Sequence, residues 1–347
     1  EIANLGSVNY PMDIDFYTDG SADYAIIADS TRLYTVDITD TAAVAPSDSL
    51  DISSGVSDVV VGNDGTSDFA YLTIKNAAND VGRVDVSDPS TLGTLADAFA
   101  SDSTATSLGF MSGDGEIFIA TGYGGLQSYD IDLSVGAPTL AANILDADGD
   151  DGDDGGTNYY GSGSIIDLVA GDANTIYVAD SDDGIKEIDW STDPPSVQSV
   201  NYADFATDHP YGIDIEGDSL YVATGGTGVY RFNTANITTP NGETYNTDGF
   251  AYNVYVYGRY AYVADGTNGL VIIDADTSAG MTEVGSVASG LINESGDIAR
   301  DVWVSGNYAY VAVGFGGLYV VDVTDKTSPS VIGSVDMNNE DVFAVDG

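Results

Sequence analysis

The strongest constraint on this chain is internal repetition. The segments YAYVADGTNGLVIIDADT (260–277) and YAYVAVGFGGLYVVDVTD (308–325) share one pattern: a strand of β-branched and aromatic residues, a Gly-rich tight turn, a second strand closing on Asp, and a polar turn. Five further segments, at 24–40, 69–88, 117–132, 176–190 and 220–233, follow the same grammar. The residue closing the second strand sets the register: Asp37, Asp85, Asp130, Asp189, Asn233, Asp274 and Asp322. Their mean spacing is about 47 residues, inside the ~40–50 range of a propeller blade. An apolar strand precedes the pair, as at 58–62, 254–258 and 301–306, and another follows it at 283–287 and 331–335. Four short strands per repeat predict an all-β fold, a seven-bladed β-propeller of four-stranded antiparallel blades. The seven units fill residues 1–347 as a single domain, and no stretch reads as a long helix.

Composition narrows the chemistry. The chain has 56 acidic residues against 8 basic ones, a formal net charge of -48. A field this negative repels phosphate backbones and anionic lipid, which argues against nucleic-acid and membrane-surface partners. No apolar run approaches the ~18 residues of a membrane-spanning helix, so no membrane insertion is expected. With no Cys there are no disulfides or thiolate sites, and with one His, His209, a multi-histidine metal site is excluded. Nearly all the acid is Asp, which favours turns and cation ligation over helices. A first residue of Glu rather than Met fits a secreted protein whose signal has been removed, and the Cys-free, Asp-rich composition suits an extracellular location.

The ends carry more strands than a closed ring needs. Residues 2–8 read as an outer strand and 11–16 as an inner one, while 331–335 and 340–347 repeat both types at the C-terminus. Eight outer-type and eight inner-type strands accompany seven middle pairs. The surplus strand at 340–347 pairs with a neighbouring subunit, continues into another domain, or packs on its own ring. The first alternative is strand addition at an exposed edge. With unlike donor and acceptor surfaces, it propagates head to tail. The apolar residues Ile2, Leu5 and Val8 at one end, and Val342, Phe343 and Val345 at the other, are the candidate assembly contacts.

The densest motif is DADGDDGDDGG, with Asp146, Asp148, Asp150, Asp151, Asp153 and Asp154. Hard oxygen ligands alternating with Gly suit Ca²⁺, because Gly lets the loop turn sharply enough for several carboxylates to converge. The sixth-position Gly and closing Glu of an EF-hand are missing. The competing reading is a solvated acidic loop. A second pattern opens the inner strands, where Asp13, Asp58, Asp167, Asn253 and Asp301 recur, with Ser107 and Gly212 at the remaining positions. These side chains either ring the mouth of the central channel, holding a cation or ordered water, or cap their own turns. The Asp residues closing the second strands read as Asx-turn formers. Sequons at Asn236 and Asn293 are candidate glycosylation sites. His209 has no accompanying nucleophile motif, the Gly-rich turns lack a phosphate-cradling pattern, and no catalytic constellation emerges.

The strings GLVIID (269–274) and GLYVVD (317–322), with their following DxT or DVTD and SP, resemble the LVIVD-repeat family of bacterial and archaeal surface propellers. That resemblance implies a propeller, secretion and a surface or adhesive role, and it implies no catalytic residue. The expected function is an extracellular, calcium-stabilised structural subunit that assembles with itself through its terminal strands. The alternatives are a monomeric propeller that binds a glycan or protein and, third, a propeller-scaffold enzyme.

Overall fold

A computed structural model describes residues 11–18, 21–29, 31–39, 45–52, 55–63, 67–74, 81–99, 107–111, 116–120, 126–130, 139–143, 165–172, 174–181, 184–189, 196–201, 209–238, 243–275, 280–288, 291, 297–335 and 345. The chain is a β-propeller of four-stranded antiparallel blades, each strand pairing with the next in sequence. It divides into two compact units, one built on residues 1–156 and the other on 157–345.

The first unit holds three sheets. They are β1 (Pro11–Thr18), β2 (Asp23–Asp29), β3 (Arg32–Asp37) and β4 (Ala45–Asp51); β5 (Val56–Asn63), β6 (Asp68–Ile74), β7 (Val81–Asp85) and β8 (Ala96–Phe99); and β9 (Ser107–Met111), β10 (Glu116–Ala120), β11 (Leu126–Asp130) and β12 (Thr139–Asn143). The second unit holds four. They are β13 (Ile165–Asp172), β14 (Thr175–Asp180), β15 (Gly184–Asp189) and β16 (Ser196–Asn201); β17 (Gly212–Glu216), β18 (Ser219–Ala223), β19 (Val229–Asn233) and β20 (Glu243–Tyr245); β21 (Asn253–Tyr257), β22 (Tyr260–Ala264), β23 (Leu270–Asp274) and β24 (Thr282–Val287); and β25 (Asp301–Ser305), β26 (Tyr308–Ala312), β27 (Leu318–Asp322) and β28 (Ser330–Val335). Within each unit the first strand of a sheet lies against the first strand of the next.

The middle strands explain why the repeats read as unbroken apolar runs rather than alternating ones. Successive side chains on a strand point to opposite faces, and in a stacked blade both faces are covered. On β22, Ala261 and Val263 pack back against Tyr221 and Ala223 of the preceding sheet. Tyr262 and Ala264 pack forward against Val302, Val311 and Val321 of the following one. In the first unit Ala70 and Leu72 face Ile26 and Leu33, while Tyr71 faces Leu108 and Ile117.

All seven residues that set the sequence register end the third strand of a sheet, from Asp37 on β3 to Asp322 on β27. Four of them form the expected turns. Asp37, Asp85, Asn233 and Asp322 each accept a hydrogen bond from the backbone N–H two residues on, at 2.8–3.0 Å. At Asp322 these bonds hold the carboxyl below its ordinary value. Asp274 instead accepts from Arg259 Nε at 2.8 Å. In six sheets the fourth strand joins the third through a register shift, which increases the local twist of the blade.

Candidate functional site

The inner strands carry the most regular polar device among the described residues. Asp13 Oδ2 accepts a hydrogen bond from Val59 N at 2.8 Å, and Asp58 Oδ2 accepts one from Leu108 N at 2.6 Å. In the second unit Asp167 Oδ2 accepts from Ile213 N at 2.9 Å. Each bond runs from one blade's inner-strand carboxylate to the backbone of the next inner strand, 46 to 50 residues later. The other oxygen often holds the adjacent N–H of its own strand, as Asp167 Oδ1 does for Leu168 N at 2.8 Å and Asp301 Oδ1 for Val302 N at 2.8 Å. The inner-strand Asp is thus both a local cap and a clamp between blades.

Two clamps lie outside the positions marked in the sequence. Asp15 Oδ2 accepts from Val61 N at 2.6 Å, and Asp214 Oδ2 from Val256 N at 2.6 Å. Both Asp residues sit two positions beyond the marked register, on the same strand face. The exception at Gly212 has a steric cause. A Cβ there would lie 2.4 Å from Asn253 Oδ1, so the Asn253 side chain fills the space that an Asp would need. Asn253 also donates to Asp301 through Nδ2.

These contacts place the candidate ring residues individually. Asp167, Asn253 and Asp301 belong to the second unit, and Asp13 and Asp58 to the first. The Asp167 carboxyl is pushed up to about 7, chiefly by burial, with the negative charges of Asp301 and Asp214 acting in the same direction and its two backbone hydrogen bonds opposing. Among the described residues no group of three or more His, Asp or Glu side chains is arranged to hold a metal ion. The candidate calcium ligands Asp146, Asp148, Asp150, Asp151, Asp153 and Asp154 lie outside the described residues, as do Asn293, Ile2, Leu5, Val8, Val342 and Phe343. Asn236 is exposed on the turn after β19, where its Oδ1 accepts from Thr238 N at 3.0 Å and Thr238 Oγ1 at 2.6 Å.

Val345 is described, and its backbone N–H donates to Asp301 Oδ2 at 2.6 Å within the same chain. The separation is 44 residues, close to that of the other clamps. Near its C-terminus the chain therefore meets the inner strand of the last sheet as a following blade would. The contact is intramolecular, whereas the first alternative drawn from the sequence reserved this segment for a neighbouring subunit.

Residues 248–289 and 296–337 each match the family model of the LVIVD repeat. No curated protein matches the chain. Among solved structures the chain resembles the computationally designed Ika8 protein, at a TM-score of 0.66 and 11% identity over 97% of this chain and 90% of that one. It also resembles a chain of the Mitotic Checkpoint Complex, at a TM-score of 0.60 and 13% identity, covering 90% and 85% of the two chains. At such identities the likeness is one of fold alone.

Proposed function

We propose that this LVIVD-repeat propeller is an extracellular, non-catalytic structural subunit whose C-terminal segment links copies head to tail. The observation that carries the reading is the Asp301–Val345 contact. It uses the interblade clamp seen at Asp13–Val59, Asp58–Leu108 and Asp167–Ile213, with Val345 in the place of a residue of the following inner strand. Such a contact is open to exchange between copies. Offered to the Asp301 of a neighbouring copy, the segment makes the same bond in trans, and such a heterologous contact propagates. The LVIVD repeats and the charge of -48 fit a surface protein kept hydrated and free of nucleic acid.

Electron microscopy and light scattering on the full chain test this. Filaments are expected in the parent, and monomers in a chain truncated after residue 340 and in Asp301→Ala, each with a cooperative melt confirming that it folds. A parent that remains a dispersed monomer at all concentrations overturns the reading, as does a truncated chain that still polymerises.

Calcium belongs to the same proposal. Six carboxylates within residues 146–154 repel one another unless a cation neutralises them. Millimolar CaCl₂ is expected to raise the melting temperature and a chelator to lower it. Ligand at 100 times its Kd stabilises by about 2.7 kcal/mol. Combined replacement of Asp148, Asp150 and Asp153 by Asn should abolish the response. Stabilisation by NaCl alone, with no further effect of CaCl₂, would assign the acidity to hydration in salt.

A further inference from the structure

One surface of the second unit gathers aromatic side chains beside the exposed Asp248. The residue just before each inner strand is Tyr211, Tyr252 or Arg300 in three successive blades, and Phe250 lies two residues before Tyr252. These side chains form a compact, mutually packed group. The rings of Tyr211 and Phe250 are 4.9 Å apart at 66°, those of Phe250 and Tyr252 4.6 Å apart at 44°, and those of Tyr211 and Tyr252 6.1 Å apart at 67°. The guanidinium of Arg300 lies over the Tyr252 ring at 5.8 Å from its centroid.

The group is built into the backbone. Thr224–Gly228 and Asp265–Gly269 are matching turns between the second and third strands, closed by hydrogen bonds of 2.8 Å from Thr224 N to Gly228 O and from Asp265 N to Gly269 O. Each turn forms a bridge to the segment entering the next blade, Gly225 to Ala251 and Gly266 to Ala299. A Cβ on Gly225 would lie 2.8 Å from Phe250 and 3.1 Å from Tyr211, so the turn supports both rings from beneath. Phe250 is nonetheless 36% exposed. In the following blade the corresponding turn carries Phe315, 53% exposed.

We infer that this aromatic group is a binding platform for the sugar units of an uncharged polysaccharide. The exposed Phe250 ring and the half-buried Tyr211 ring inclined to it complement the C–H face of a pyranose unit, because the electron-rich face of an aromatic ring attracts weakly positive C–H groups. Charge selects among ligands. A net charge of -48 repels an anionic glycan, and the Arg300 guanidinium over Tyr252 repels a second cation from that ring. A neutral sugar chain meets neither penalty. With all three centroids within 6.1 Å of one another, the rings meet one sugar unit of such a chain at a time.

The test is affinity electrophoresis of the full chain through gels containing soluble starch, yeast mannan or a β-1,3-glucan, with alginate as the anionic comparison. Retardation by at least one neutral polymer and none by alginate is expected. Phe250→Leu keeps apolar bulk but removes the ring, and should weaken retention about tenfold or more, as should Tyr211→Ala. Phe250→Trp enlarges the ring and should retain binding, which separates stacking from loss of fold. Three results overturn the assignment: no retardation by any neutral polymer, retention unchanged in Phe250→Leu and Tyr211→Ala, or retention by alginate alone.

Discussion

Stability should fall as the pH is raised from about 4 to about 8, and Asp167→Asn should flatten that dependence. The Asp167 carboxyl titrates at about 7 in the folded protein against an ordinary value of 3.8. Between those values the native state holds a proton that the unfolded chain has released. The stabilisation is therefore fully present below pH ~4 and is lost as the pH rises through about 7. A shift of some three units corresponds to roughly 4 kcal/mol. Asp265 acts in the same direction over a narrower window, because burial raises its carboxyl to about 6 against the lowering effect of its bonds from Thr247 and Asn268. Thermal melts from pH 4 to 8, in the parent and in Asp167→Asn, measure this. The variant gives up one oxygen acceptor for Leu168 N or Ile213 N, about 1 kcal/mol, so it should be less stable than the parent at pH 4 and more stable than it by pH 8. High NaCl reduces the general repulsion of a chain at -48, whereas a buried carboxylate is screened much less. A variant with the parent's slope at high salt would show that Asp167 does not titrate in this window.

Replacing one glycine should be far more damaging than replacing another of the same backbone conformation. Gly269 has φ +75°, and a Cβ there would lie 2.3 Å from Val287 O and 2.9 Å from Ala288 Cα, both in backbone that cannot rotate away. Gly258 has φ +63° with nothing within 4 Å of the same added atom. Ala at Gly258 bears only the cost of the left-handed conformation, about 1–2 kcal/mol. Ala at Gly269 adds displacement of the third-to-fourth-strand junction in the same sheet, so a loss above about 3 kcal/mol is expected. For a unit of this size, that is a drop of roughly 6–12 °C against about 2–8 °C for Gly258→Ala. Calorimetry on the two variants decides it. Equal losses would mean that the turn relaxes around the new methyl group.

The repeat grammar made much of the architecture legible from sequence. The Asp and Asn residues read as strand closers all end a third strand, and four of them make the Asx turns expected of them. Both are local matters: a strand's end and a side chain bonding two residues on depend on a handful of adjacent residues. The apolar runs of the middle strands were also readable, since burial on both faces leaves no polar alternation. The candidate sites were less legible. Asp13, Asp58 and Asp167 could be aligned, but an Asp that caps its own turn and one that clamps another strand have the same sequence signature. The partners Val59, Leu108 and Ile213 are about 46 to 50 residues away. Asp15 and Asp214 were missed because the register was anchored two residues earlier. Alternation along the inner strand would have suggested them.

The sequence by itself determined the blade: its length, its four strands, its Gly turns and its Asp closures, because each arises from hydrogen bonding and side-chain periodicity within one repeat. Only the tertiary structure decided what passes between blades. Gly212 yields its place to Asn253, Tyr211 and Phe250 rest on the turn at Gly225, and Val345 takes up the carboxylate of Asp301. Those choices depend on which backbone N–H groups and ring faces stacking brings within a few ångströms. Residues tens of positions apart acquire that relation only when the blades pack.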